Sequence, residues 1–359
     1  MKRIIVFLAL AVLTLRAGAQ NTRVGNGTLN FSVPDAPAFA ILGASPPSII
    51  RPTATREVTA GIADLFRGGG VLPQNLFVEF SPWSVIGAKL TFDEYRESSF
   101  ERFLYRLRLS LASRSTDQQT GASYSSWGLR MTFEDESDPR LDDTFVATIR
   151  GLIERDLSTI DPTKLRPPTS GTDSNWSTSL SADQRASLAS SAVLLSKARI
   201  AQAEKSWNAS IFEGGIACSY RNPDSLVKHV VIDRAALWLT KTFALSNWGQ
   251  VLLGTAPCMM RSSMTGAMDS VNATLSSRFY GGTNSGKLFI EAQCGVTGRT
   301  GDKPSDSFDL TGGIRIGGEY NVTGPLWLEF DLSGTRDFKT ATNTYVAPSI
   351  KVKWGSLPG

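Results

Sequence analysis

Leu326-Trp327-Leu328-Glu329-Phe330-Asp331-Leu332-Ser333-Gly334-Thr335 alternates between apolar and polar side chains, and three more segments within residues 285–354 do the same. In the first of them Leu288, Ile290, Ala292, Cys294 and Val296 oppose Lys287, Glu291, Gln293 and Thr297. Next, Phe308, Leu310, Ile314, Ile316 and Tyr320 oppose Asp309, Thr311, Arg315 and Glu319. In the last, Val346, Ile350, Val352 and Trp354 oppose Tyr345, Ser349, Lys351 and Lys353. A period of two is the signature of a β-strand with two unlike faces. Runs of about 11 to 14 residues exceed the five or six of an ordinary globular strand and suit a tilted membrane span.

Working outward, eight further strand candidates precede this block, at residues 57–66, 75–83, 100–113, 123–133, 208–220, 228–245, 250–261 and 271–280. The alternation between residues 228 and 261 changes phase, which points to a bulge or a shifted boundary. Twelve strands with both ends on one side demand connections that alternate long and short. They do so in the C-terminal half, with longer links around Pro223, Met264, Lys303 and Ala341 and shorter ones at Asn247, Asn284 and Val322. The expected fold class is therefore all-β membrane, an antiparallel transmembrane β-barrel of about 12 strands, with strands at 57–133 and 206–354.

Residues 134–205 break the strand period. Phe145, Ile149, Leu152 and Ile153 recur at helical spacing, and Ser181-Ala182-Asp183-Gln184 opens a second helix with a capping box. A linker rich in Pro, Ser and Thr at 162–179 separates the two. This helical insert falls on the short-turn side by parity. Its Phe145–Ile149–Leu152–Ile153 face is a candidate for docking a partner if left exposed, and part of a plug or gate if it packs on the second helix or the barrel mouth.

At the N-terminus Lys2 and Arg3 precede the apolar run from Ile4 to Leu13 and Ala17-Gly18-Ala19, the pattern of a cleaved signal peptide over residues 1–19. The following segment, 20–56, carries Pro34, Pro37, Pro46, Pro47 and Pro52 around an apolar centre at 36–43. That centre is expected to dock inside the barrel or at its mouth, the alternative being a flexible leader. Lys2, Arg3 and Arg16 supply three of the 37 basic residues against 33 acidic ones, so the mature chain is near neutral and gives no footprint for nucleic acid. The three cysteines, Cys218, Cys258 and Cys294, sit on strands that are never neighbours and are read as small hydrophobes.

These residues resemble bacterial outer-membrane β-barrel proteins as a class. The resemblance rests on Ala17-Gly18-Ala19, the alternating strands and the aromatic Trp354 in the final one; Gly355-Ser356-Leu357-Pro358-Gly359 follows where such proteins usually end on the aromatic. The stretch from Pro37-Ala38-Phe39 to Arg51-Pro52 looks like the leader of uncharacterised Gram-negative barrels. The resemblance implies an outer-membrane location, a lipid-bilayer environment and the barrel-assembly machinery as a partner, and it leaves function open.

Chemistry-bearing motifs are sparse. His229 is the single histidine, and the cysteines lack C-x-x-C spacing, so no metal site, cofactor or catalytic group is expected. Outer-membrane phospholipases, also twelve-stranded, carry a Ser two residues after the His, where this chain has Val231. Gly68-Gly69-Gly70 lacks the Lys-Ser/Thr of a phosphate loop and reads as a turn. Gly312-Gly313 and Gly317-Gly318 imply strand curvature or close approach of a plug.

Charges on the polar faces are the informative set. Arg102, Arg106, Arg108 and Arg130 form an expected lumen-facing basic patch, and Asp309, Glu319, Glu329 and Asp331 an acidic one. They would line a path for small polar or ionic solutes, or fill the lumen as ion pairs. Two functions follow: a narrow, porin-like channel or transporter, or a plugged anchor that docks a periplasmic or envelope partner through the helical insert.

Overall fold

The structure, a computed structural model, describes residues 33–34, 36–43, 76–83, 90–115, 123–159, 181–222, 230–261, 266–283, 285–299, 308–323, 326–338 and 344–354. The signal peptide, the strand candidate at 57–66, the glycine triplet at 68–70, the linker at 162–179 and His229 lie outside the described residues.

A twelve-stranded antiparallel sheet dominates. Its strands are β1 (Phe77–Phe80), β2 (Arg108–Ser115), β3 (Ser123–Asp135), β4 (Ile211–Asn222), β5 (Val231–Leu245), β6 (Gly249–Thr255), β7 (Cys258–Met260), β8 (Ser270–Gly282), β9 (Gly286–Arg299), β10 (Phe308–Thr323), β11 (Leu326–Asp337) and β12 (Thr344–Trp354). Each pairs with its neighbours in sequence, except that β6 and β7 together fill one position between β5 and β8. The 250–261 candidate is thus one strand broken at Ala256-Pro257. Proline has no N–H for the ladder. Across the break Ala256 N donates to Thr274 O at 2.9 Å, and Pro257 O accepts from Leu237 N at 3.0 Å. The register is the same on both sides of this break. The phase change comes from β5, where pairing with β4 slips from Ser219–Arg234 to Tyr220–Ile232 and leaves Asp233 as the extra residue of a bulge.

From β8 to β12 the strands run 11 to 16 residues. Register fixes which side chains share a face. Ser110 pairs with Gly128, Gly128 with Ala217, and Ala217 with Ala236. At the other side Arg278 pairs with Glu291 and Glu291 with Arg315. These residues all belong to one face, and it is the buried one. The opposite face holds Leu288, Ile290, Ile314, Ile316, Phe330, Leu332, Ile350 and Val352, all exposed. Ile350 is 70% exposed, whereas Glu291 is 1% and Arg315 6%. The usual arrangement of a globular protein is inverted.

The sheet is also curled. Trp207 lies four residues ahead of β4, and its ring lies 5.0 Å from Nζ of Lys287 on β9. Four steps across a sheet at about 4.8 Å each would separate those strands by roughly 19 Å if it were flat. The contact lies on the buried side, the concave side of the curl.

One expected strand is largely a helix. Residues 100–113 alternate, but α3 occupies Ser99–Arg106 and β2 starts only at Arg108. Ser98 decides the matter by accepting a hydrogen bond from Glu101 N at 3.2 Å as an N-cap. Before it, Thr91 and Glu94 close a full capping box on α2 (Phe92–Glu97). Phe103 then turns its ring onto Phe133, 5.7 Å away. The insert forms α4 (Asp143–Thr159) and α5 (Ala182–Ser206), and the two pack on each other, which the sequence periodicity leaves open. Among the described residues no helix is long and apolar enough to cross a membrane. Helices α2 to α5 gather at the end of the sheet that carries the tight β5–β6 and β8–β9 turns.

Candidate functional site

The concave face holds two features, a strap and a lattice of ion pairs. The strap contains α1 (Pro37–Ile41), begun by a proline whose missing N–H would be unpaired there in any case. Ala38 N donates to Ser110 Oγ at 3.1 Å, and Ser126 Oγ donates to Ala38 O at 2.7 Å. Arg114 and Arg234 donate to the carbonyls of Leu42 and Ile41 at 3.3 and 3.4 Å. Phe39 meets Phe77 edge-on at 5.2 Å. The seat is made of small residues so that backbone can approach backbone. A Cβ on Gly128 would stand 2.5 Å from Ala38 N and 2.8 Å from Pro37 Cβ. The apolar centre expected to dock thus lies on the inner face of β2 to β5.

Over β8 to β12 the concave face is charged. Arg278 Nε donates to Glu291 at 2.7 Å, and Arg315 donates to Asp331 at 2.5 Å and to Glu329. Arg315 also lies 3.7 Å from Glu291, and Lys351 3.3 Å from Glu329. Tyr280 links the set by accepting from Arg278 at 2.5 Å and donating to Glu319 at 3.1 Å. Phe289 is buried beneath both guanidiniums, 4.7 Å from Arg278 and 5.3 Å from Arg315. Its ring needs Gly317, where a Cβ would come within 2.6 Å of it. At that position the glycine serves an aromatic neighbour on β9.

Each anticipated charge can now be located. Glu319, Glu329 and Asp331 lie in this lattice, and Asp309 is exposed on the same face towards the long-loop end. Arg130 donates to Glu213 at 2.8 Å on the inner face, so it is paired on its neighbouring strand. Arg108 opens β2 on that face and donates to the carbonyls of Tyr105 and Leu107 at 2.8 and 3.0 Å. Arg102 and Arg106 require correction: both are on α3 at the short-turn rim, because the capped helix displaces the strand expected there. Arg102 caps the carbonyls of Tyr95 and Arg96 at 3.2 and 3.1 Å.

Arg106 belongs to a buried knot outside the strands. Asp138 accepts from Arg106 at 2.7 Å, from Arg140 at 2.8 and 2.9 Å, and from the Tyr95 hydroxyl. Burial opposes ionisation of Asp138, but its hydrogen bonds from Arg140, Tyr95 and Arg106 outweigh that and hold its carboxyl well below the usual range. Burial, reinforced by the bond to Asp138, pushes the Tyr95 hydroxyl up to about 12. The knot ties α2 and α3 to the turn after β3.

Beside it a cavity of about 810 Å³ opens at the rim, bounded by α4, α5 and the ends of β9 and β11. Phe145, Arg199, Trp207, Lys287 and Trp327 line it. Of the anticipated docking face, Phe145, Ile149 and Leu152 are half-buried and Ile153 is 53% exposed. On the far side of α5, Val193 and Ile200 are exposed.

Sequence alternation put Glu291, Arg315 and Lys351 on the polar face, but pairing between strands depends on register, which alternation does not contain. Among the described residues no group of His, Cys, Asp and Glu could hold a metal ion, and all three cysteines are free. The chain matches no known protein family, no curated protein and no solved structure.

Proposed function

We infer that the curled sheet closes into a β-barrel in a bacterial outer membrane and acts as a narrow channel for small polar or ionic solutes, gated by the strap. The observation that carries this reading is the inverted sheet. An exposed apolar face suits lipid, and a concave face of paired charges suits a polar passage. The strap lies across that face on hydrogen bonds and a bed of small residues, with Val33, Phe39 and Ile41 buried as its apolar part.

The polarity of the strand ends agrees with this. In outer-membrane barrels short turns face the periplasm, so the helices would lie on that side. A barrel of this strand number is narrow, and a seated strap would occlude much of it. Alternation in the sequence, the signal pattern and the barrel-class resemblance support the same location.

A second reading, a plugged anchor that docks an envelope partner, draws on the exposed Ile153, Val193 and Ile200 of the helical hairpin. Single-channel recording in planar bilayers separates the two. The full chain should rest closed, and a variant lacking residues 33–43 should conduct. Silence from both would end the channel reading in favour of the anchor.

A further inference from the structure

The rim cavity has a chemistry that neither the channel nor the anchor uses. Its acids are engaged. Asp138 is saturated by Arg106, Arg140 and Tyr95, and Asp135 accepts from the backbone N–H of Ser137 at 2.9 Å and from its hydroxyl. Two kinds of donor there are open. Arg199, exposed on α5, has no hydrogen-bond or ion-pair partner among the described residues, and neither do the indole N–H groups of Trp207 and Trp327.

Part of the wall is flat and aromatic. Trp207 and Trp327 flank Lys287, whose Nζ lies 5.0 and 5.5 Å from their ring centroids, and Phe145 forms part of the α4 side. A volume of about 810 Å³ is that of a small-molecule site. A cation would meet Arg199 and Lys287 and be repelled. A neutral apolar ligand would leave the donors unmet. An anion with a planar body satisfies both, by accepting charge-assisted hydrogen bonds and stacking on indole.

We propose that this cavity is a binding site for a planar organic anion, an aromatic carboxylate in the simplest case, held by Arg199 and Lys287 with its flat body against the indole of Trp207 or Trp327. Because the cavity is bounded by α5 on one side and by β9 and β11 on the other, an occupant fastens the helical hairpin to the rim of the sheet. The site requires only the local geometry, so it stands whether or not the barrel conducts.

The test is equilibrium dialysis of the purified full-length protein in a nonionic detergent, with empty micelles in the opposite chamber. Naphthoate is the probe, and naphthol and naphthylmethylamine are its neutral and cationic counterparts. Naphthoate should bind at one site per chain, and both counterparts at least about tenfold more weakly. Arg199→Glu should weaken naphthoate by a similar factor, Arg199→Lys by less, and Arg185→Glu, a control on the exposed surface of the same helix, not at all. Equal retention of the three probes would overturn the proposal, as would loss of binding by Arg185→Glu equal to that by Arg199→Glu. Circular dichroism on each variant confirms that the helices remain.

Discussion

Gly128→Ala is the smallest change that should unseat the strap. The new methyl would lie 2.5 Å from Ala38 N, 2.8 Å from Pro37 Cβ and 2.9 Å from Pro37 C, all inside the closest approach that real Cβ atoms make. Two of the three atoms are backbone, so no side-chain rotation relieves the contact. Strand β3 itself tolerates alanine, and the strain falls on the strap. Overpacking of this kind costs about 1–3 kcal/mol, which multiplies the displaced fraction by roughly 5 to 150. The assay is open probability in planar bilayers, read against the wild-type chain at the same voltage. On a background lacking residues 33–43 the same substitution should change nothing, because the atoms it strikes are gone. Unchanged open probability in the intact chain, with strand content preserved, would refute the strap as the gate. So would an equal effect with and without the strap.

Three other outcomes follow from the same geometry. Arg315→Met removes the cation shared by Glu329 and Asp331 and should lower stability by about 3–5 kcal/mol, read from the midpoint of unfolding in urea. Arg108→Glu reverses an inner-face charge that contacts only carbonyls among the described residues, and should move the reversal potential towards cation selectivity. Stability should also depend on pH through the Tyr95–Asp138 knot. Asp138 is depressed, so its contribution is present above the ordinary carboxylate range near 4 and fades as pH falls below it. Tyr95 is raised, so its contribution is present below 10 and is lost as pH climbs through about 12. Thermal unfolding of Tyr95→Phe should lack that alkaline loss; identical profiles for variant and wild type would count against the knot.

Much of the sheet was legible because period-two alternation is a property of each strand alone. Residues 285–354 give β9 to β12 with boundaries close to those observed, and even the bare and buried faces can be assigned. The failure at residues 100–106 has a specific cause. Phe103, Tyr105 and Leu107 satisfy a strand pattern while Phe100, Phe103, Leu104 and Leu107 satisfy a helical one, and the arbiter is the side-chain oxygen of Ser98. The site was legible in part. Acids on β10 and β11 were found by their face, but the cations of β10 and β12 emerge as their partners only when register brings Arg315 and Lys351 beside Glu329 and Asp331. The rim cavity had no sequence signal, since Phe145, Arg199, Lys287 and Trp327 come from four separate elements.

The inversion of the two faces changes what the word stability refers to. In water, burial of apolar area contributes about 25 cal/mol per Å², yet here Leu288, Ile290, Ile350 and Val352 stay uncovered in the folded state. Water alone therefore gives this chain little reason to prefer the sheet over a collapsed coil. In the outer-membrane setting proposed above, the rest of the free energy comes from the lipid that covers the bare face. Unfolding midpoints for this protein will accordingly be joint properties of chain and amphiphile, shifting with acyl length or detergent type even when no residue is altered.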